Sequence, residues 1–402
     1  MNFSGIFFDL IYFLALYKII IFLVLSLAHL KKSHKIEENK NFRPFVSVII
    51  PCFNEEATIA NCLRSVLASN YKSFEIIVVN DGSSDRTSLV VREFSRNYST
   101  INLFEKENGG KAQALNFGID RARGEIIVCI DADSALKADT LAKLIRWFAD
   151  KKVGAVSGNV KVANKKSFLG LHQAGEYISG LNLQRRSFEI LNALQIIPGA
   201  VGAFRKNVMD EVGGYSLDTK VEDMDLTIAI QKAGYKVVYE PKAIAYTETP
   251  ESIRNFIRQR HRWTYGSFRV IKKYKNLVFS RNGGAIGNIG LTYSLIFPLV
   301  DLALSALFIS TVIKLLLTFD FLSLFQLVVV LTAAHLFIII YSLLIDKDNF
   351  EIAFVSVFLG IWYYHLISAI TLMAIYSYLT SKKEEHIISS RLGKNTFNVS
   401  AS

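Results

Sequence analysis

A chain of 402 residues with 51% hydrophobic content has room for one substantial globular domain and several membrane helices. Its formal charge of +11 suits a nucleic acid, an anionic membrane surface or a phosphorylated substrate; no RNA- or DNA-binding motif is present, which leaves the last two. Cys52, Cys62 and Cys129 sit in apolar runs without metal-ligand spacing, so they read as small core residues of a reducing compartment.

The first unit is 1–35. Ile6–Leu30 is an apolar run of spanning length and predicts a transmembrane helix, although Asp9 lies near its start and Lys18 at its middle. A lysine there must snorkel or face other helices. Lys31, Lys32 and Lys35 follow the span while no basic residue precedes Lys18, which places residue 1 outside and the next domain in the cytosol. A signal peptide is disfavoured by the lack of a basic start and of a small-residue cleavage site before Lys31.

The second unit is 36–250. From Phe45, short β-branched runs alternate with helical ones, the pattern of a parallel α/β sheet. Strands are expected at Val46–Pro51, Glu75–Asp81, Glu125–Asp133 and Val153–Val160. Helices are expected at Glu56–Ser69, Asp85–Tyr98, Lys111–Arg121, Asp139–Asp150 and Glu222–Ala233, with Ile197–Ala203 a turn and buried strand. Residues 251–285 are expected to form interfacial helices carrying Gln259-Arg260-His261-Arg262-Trp263, which alone reads as a boundary anchor. Ile286–Leu317, Phe321–Ile345 and Ile352–Thr380 then predict about three transmembrane helices over 286–380. The tail, 381–402, would end outside, where Lys382, Lys383, Arg391 and Lys394 run against the positive-inside rule.

Ligands of open α/β sheets bind beyond the carboxyl ends of the strands. Those ends here read Phe53-Asn54-Glu55-Glu56, Asn80-Asp81-Gly82-Ser83-Ser84-Asp85 and Asp131-Ala132-Asp133. Helix capping accounts for Asp85 and Asp139. For Asp81, Asp131 and Asp133 together, ligand binding is the better reading: Asp131 and Asp133 flank one alanine and can converge on a hard divalent cation, Mg2+ or Mn2+, shared with substrate phosphates. Gly109-Gly110-Lys111 adds a glycine-rich turn, a cation and a helix start suited to a phosphate or to sugar hydroxyls.

FNEE, VNDGSSDRT, NGGKAQALN, DADS, Val221-Glu222-Asp223 and Gln259-x-x-Arg262-Trp263, taken in order from Phe45 to Gly266, resemble the processive inverting family 2 glycosyltransferases, the synthases of cellulose, chitin, hyaluronan and poly-N-acetylglucosamine. The resemblance implies a GT-A (Rossmann-like) α/β domain with α-helical transmembrane segments and a UDP-sugar donor. Phe53 then stacks on uracil, Glu55 and Asp81 hold the uridine, and Lys111 lies near the donor. Asp131 and Asp133 bind diphosphate and metal, while Gln259 and Arg262 face the diphosphate. Asp223 is the catalytic base. Gly199, Ala200, Glu222 and Trp263 belong to the acceptor side, with Trp263 a flat face under the sugar. Val221 departs from the usual threonine, which puts a supporting hydrogen bond in doubt. No counterpart of the family's gating loop is found between Tyr265 and Asn282. Arg260 and His261, outside the fixed motif positions, read as surface charges.

The chemistry asks for the same residue types independently. The leaving diphosphate must be neutralised, for which a metal on Asp131 and Asp133 and a guanidinium serve, and the acceptor hydroxyl must lose a proton, for which Asp223 serves. The plain alternative for Asp223 is an acid at a helix N-terminus.

The membrane plan resembles poly-N-acetylglucosamine and chitin-oligosaccharide synthases, so β-linked polymerisation from UDP-N-acetylglucosamine is expected. A hyaluronan- or glucan-type synthase, a non-processive transferase acting on a lipid, and a non-catalytic nucleotide-sugar-binding subunit are the alternatives. No GxGxxG follows the first strand, against an oxidoreductase. The expected setting is the plasma (inner) membrane with a cytosolic catalytic domain, a growing polysaccharide and the bilayer as partners, no nucleic acid, and an accessory subunit or homo-oligomer left open. Asp301, Lys314, Tyr363, Tyr364 and His365 either line a polymer path or pack between helices.

Overall fold

The computed structural model describes residues 3–33 and 42–380, with the backbone alone for 3–12 and 353–359; Lys35 and the tail lie outside the described residues, and Asp9 within the backbone-only part. In chain order, α1 (Phe3–Ser33) precedes β1 (Val46–Cys52), α2 (Ile59–Leu67), β2 (Phe74–Asp81), α3 (Thr87–Asn97), β3 (Ile101–Lys106), α4 (Lys111–Ile119), β4 (Ile126–Cys129), β5 (Ser134–Leu136), α5 (Thr140–Ile145) and β6 (Val153–Val162). Next come α6 (Phe168–Glu176) and α7 (Leu183–Ile190), joined through a π-helical stretch at Tyr177–Asn182. They are followed by β7 (Gly202–Arg205), α8 (Lys206–Val212), α9 (Glu222–Lys232), β8 (Lys236–Thr247) and α10 (Ile253–Lys273). The last three helices are α11 (Thr292–Leu317), α12 (Phe321–Asp346) and α13 (Glu351–Leu379).

The eight strands form one sheet in the order β3-β2-β1-β4-β7-β6-β8-β5. Val48 and Ile50 belong to one apolar core and Ile49 to the other, because successive strand residues point to opposite faces and both faces are covered. That double burial is why the first strands read as unbroken apolar runs. The expected all-parallel sheet is corrected: β3-β2-β1-β4 and the β6–β8 pair are parallel, whereas β7 runs antiparallel to both β4 and β6, and β5 antiparallel to β8. The predicted strand Glu125–Asp133 is shorter than expected: β4 ends at Cys129, and Asp131 and Asp133 lie in the turn that leads to β5. Such a turn frees the carboxylates from the sheet.

Among the described residues, three helices are long and apolar enough to cross a membrane: Phe13–Lys32, Ile286–Leu317 and Phe321–Asp346. Lys18 makes a 2.9 Å ion pair with Asp301 of α11, so both mid-span charges are answered across helices. The expected fourth segment is α13, which packs along α10: Tyr363 lies 5.5 Å from Phe256, and Tyr378 5.8 Å from Phe268, between ring centroids. Polar groups offered as path-lining residues are satisfied within this packing. The Tyr364 hydroxyl donates to the Asp301 carbonyl at 2.6 Å, and His365 Nδ1 lies 2.6 Å from Ser305 Oγ. Lys314, in the last turn of α11, is exposed.

The long apolar helices are tied to the sheet domain by ion pairs, two of them buried. Lys32 at the end of α1 pairs with Glu189 at 2.9 Å. Arg186 pairs with Asp346, and Lys161 with Asp348 at 2.8 Å, so the α12–α13 connection docks on the domain.

Candidate active site

The first strand end delivers Phe53, 39% exposed and therefore free to stack, and Asn54 with φ +55°. The following loop is laced to the next strand end. Asn54 N–H donates to Ser83 Oγ at 2.9 Å, Glu55 N–H to Thr87 Oγ1 at 2.8 Å, and Glu56 N–H to Asp85 Oδ2 at 3.1 Å. Asp85 precedes Arg86, the N-cap of α3, and takes the Thr87 N–H at 3.0 Å from one residue further out than expected; burial would raise its pKa, but several hydrogen bonds outweigh it and hold the carboxyl below the usual range. Asp139 stands at the N-cap of α5 without a side-chain capping bond and pairs instead with Lys143, which corrects the capping expectation there.

Asp81 closes β2 and is nearly fully buried. Lys106 Nζ donates to its Oδ1 at 2.6 Å, Gly109 N–H to Oδ1 at 3.0 Å and Gly110 N–H to Oδ2 at 2.7 Å. Its carboxylate therefore shapes the Gly109-Gly110 turn. Gly110, at φ +88°, adopts a conformation that a side chain would strain, and this lets Lys111 open α4 facing the cleft.

Lys111 Nζ pairs with Asp131 and lies 4.0 Å from Glu222 Oε1. Burial opposes the charge of Lys111, but Asp131, Glu222 and Asp223 outweigh it and raise the pKa, which keeps the ammonium charged. Burial raises the Asp223 pKa, against the lowering effect of Lys111, the Met224 amide and Arg262. Glu222 is likewise raised by burial, with Lys111 opposing. Asp223 Oδ1 accepts the Met224 N–H at 2.9 Å, a helix N-terminal bond. Cleft position and helix-start position therefore coincide in this residue.

Gly199 and Ala200 lie beside the same charges. A Cβ at Gly199 would meet Lys111 Nζ and fall 3.2 Å from both Asp131 carboxylate oxygens, so a larger residue there would have to displace the lysine head from its place in the cleft. Ala200 is buried. Thr227 fastens the segment to α9: its hydroxyl donates to the Asp223 carbonyl at 2.6 Å and accepts the Ile197 N–H at 3.0 Å. Val221 packs against Gly266 of α10 within the core formed with Met224 and Ile228, and its N–H donates to Thr219 Oγ1 at 3.2 Å. The departure from threonine thus exchanges a hydroxyl for an apolar contact with α10.

Asp133 is only 5% exposed; its Oδ1 accepts from Ser134 Oγ at 3.3 Å and Thr247 Oγ1 at 3.4 Å. Two carboxylates on one turn are hard oxygen donors that fit Mg2+ or Mn2+. No cluster of three such side chains occurs among the described residues, so a cation there must complete its shell with substrate oxygens and water.

On α10, Arg262 Nη1 donates to the Lys220 carbonyl at 3.0 Å, steadying the loop before Glu222. Gln259 Oε1 is buried without a hydrogen-bond partner among the described residues, a state that favours a ligand donor. Trp263 is partly buried. Two surface assignments are corrected. Arg260 is only 5% exposed and pairs with Glu176 at 2.6 Å, and His261 Nε2 lies 3.1 Å from Ser377 Oγ of α13. The helical repeat puts Phe256, Arg260 and Trp263 on one face, a signal the sequence contains. Glu176, which answers Arg260 from α6, has no sequence signal.

Comparison with known proteins agrees with this geometry. The family description "Glycosyltransferase like family 2" matches residues 43–266. Poly-beta-1,6-N-acetyl-D-glucosamine synthases from Staphylococcus epidermidis and from Staphylococcus aureus strain COL are each 36% identical over 227 residues. Those alignments cover 56% of this chain and 55% of the relative, so the chain spans about half the length of the curated relatives it matches. The mannosyltransferase PcManGT from Pyrobaculum calidifontis, solved with GDP-Man and Mn2+, superimposes with a TM-score of 0.60 over 90% of this chain and 99% of its own, at 21% identity. The sheet is accordingly a GT-A sheet, and the chain belongs to glycosyltransferase like family 2.

Proposed function

We propose that this glycosyltransferase polymerises a β-linked polysaccharide from a UDP-sugar, with UDP-N-acetylglucosamine as donor, inversion at the anomeric carbon and exit of the product across the plasma membrane from a cytosolic domain. The observation that carries the reading is the meeting of Lys111, Asp131, Glu222 and Asp223 in one cleft, with Gly199 against Lys111 and Asp131. The donor choice is supported by relatives named poly-beta-1,6-N-acetyl-D-glucosamine synthases.

In this reading Phe53 stacks on the uracil, and Glu55 and the Asp81-shaped turn hold the uridine. Lys111, Gln259 and Arg262 face the diphosphate; the planar Arg262 fork suits bidentate contact with phosphate oxygens. Asp131 and Asp133 would hold Mg2+ or Mn2+, which when bound supplies positive charge to the diphosphate. The acceptor hydroxyl gives its proton to Asp223 as its oxygen bonds to the anomeric carbon, and the bond from that carbon to UDP breaks with the electron pair leaving on the diphosphate. Glu222, Gly199 and Ala200 border the acceptor, whose sugar ring rests on Trp263.

Purified protein in liposomes, given radiolabelled UDP-N-acetylglucosamine, UDP-glucose or UDP-glucuronate, tests this. Long products from the first donor are expected. Incorporation only from another donor overturns the donor assignment, and a single-sugar glycolipid as sole product overturns polymerisation.

A further inference from the structure

The reading of Trp263 as an acceptor platform leaves its neighbour Arg260 without a part in the chemistry. Arg260 is buried, and its guanidinium lies 4.3 Å from the Trp263 ring centroid and 5.0 Å from that of Phe256. Glu176 Oε2 of α6 receives Arg260 Nη2 at 2.6 Å and the Tyr363 hydroxyl of α13 at 2.5 Å. One carboxylate oxygen thus joins three helices directly beneath the tryptophan.

Burying a guanidinium is costly; here burial opposes the charge but Glu176 and Tyr363 outweigh it, while Nε and Nη1 make no hydrogen bond among the described residues. An apolar residue would fill the same place between helices at lower cost. What an apolar residue lacks is a flat cation whose plane is fixed from behind. A cation over an indole face attracts it, and the bond from Nη2 to a carboxylate that Tyr363 also holds restricts where that cation sits. The guanidinium is then held between the rings of Phe256 and Trp263 on α10 and referenced to α6 and α13, so the indole packs against a fixed cation instead of choosing freely among its own rotamers.

We infer that Arg260 is a positioning residue for Trp263, and that the Glu176 hub lets helix α13 set the height and tilt of the acceptor platform. The inference rests on the acceptor role of Trp263. It assigns Tyr363 to this hub and not to the lining of a polymer path. A chain slipping by one sugar between additions needs a platform that holds its place, so loosening the platform shortens the product and weakens acceptor use while the donor half of the cleft is unaffected.

The experiment compares Arg260→Lys, Tyr363→Phe and Glu176→Gln with Trp263→Ala in the intact protein in liposomes. Acceptor KM is measured with short β-linked N-acetylglucosamine oligomers, product length by gel, UDP affinity by displacement, and thermal midpoint in parallel. Arg260→Lys keeps the charge and Tyr363→Phe keeps the shape, so these two stay interpretable if Glu176→Gln fails to fold. Each is expected to raise acceptor KM about tenfold and shorten products, with UDP affinity within about twofold of the parent. A fall in kcat alone, with KM and product length unchanged, would show a purely structural ion pair and overturn the inference. If Trp263→Ala raises acceptor KM and the others do not, the positioning role alone fails. If Trp263→Ala also leaves acceptor KM unchanged, the platform reading fails with it.

Discussion

Asp223 carries two constraints. It opens α9, where a carboxylate is favoured by the exposed helix amides, and it lies in a cleft whose burial raises its pKa although Lys111 and Arg262 pull the other way. A base with a raised pKa is protonated over more of the acidic range, so the acid limb of kcat/KM is expected above the ordinary aspartate value of about 3.9. A limb at or below that value, measured with saturating metal, would contradict the burial argument. Asp223→Asn should cost about 10² to 10⁴ in rate with UDP affinity kept. Gly199→Ala places a methyl against Lys111 and Asp131, and a displacement of about 1 Å there should cost about 10²-fold in turnover with the fold intact. Both residues could be nominated from sequence because helix starts and ordered motifs are local features. Arg260 was misread because burial is not local: the residue that answers it, Glu176, stands on another helix.

Among the elements, α10 has the widest reach. Ser252 Oγ caps it by accepting the Asn255 N–H at 3.3 Å, and it runs unbroken to Lys273, whose Nζ reaches the buried Asp225 of α9 at 2.5 Å. One face of α10 meets α9 through Gly266 and Val221, and its length is flanked by α13. An amphipathic helix was foreseeable; its second partner was not, since α13 also reads as a plain apolar segment. The α1–α11 pairing is likewise invisible in either segment alone. Lys18→Met should leave Asp301 unanswered among apolar helices and lower stability in detergent by about 2 to 3 kcal/mol, with Lys18→Met/Asp301→Leu recovering most of it. Equal loss in the single and double variants would show that the pair does not couple the helices.

Across the molecule, the long apolar helices and the GT-A sheet are joined by two buried ion pairs, through Arg186 and Lys161, and by the exposed Lys32 reaching the buried Glu189, all on the side where α1 ends and α12 gives way to α13. That placement makes an orientation prediction. The native cysteines are buried, so an introduced thiol reports alone. A membrane-impermeant maleimide applied to intact cells should label Thr318→Cys, in the α11–α12 turn, and leave Asn349→Cys unlabelled until the membrane is opened. The reverse pattern would invert the proposed topology. The strand–helix alternation and the apolar runs determined the α/β class and three helices long enough to cross a membrane, and the ordered motifs nominated the candidate site residues, because hydrophobic period and strand-end chemistry are written within a few residues. Only the tertiary structure decided the antiparallel insertion of β7, the ion pair that makes Lys18 acceptable and the hub beneath Trp263. Each depends on a partner far along the chain, and which distant partner answers a buried charge or an open strand edge is fixed by packing alone.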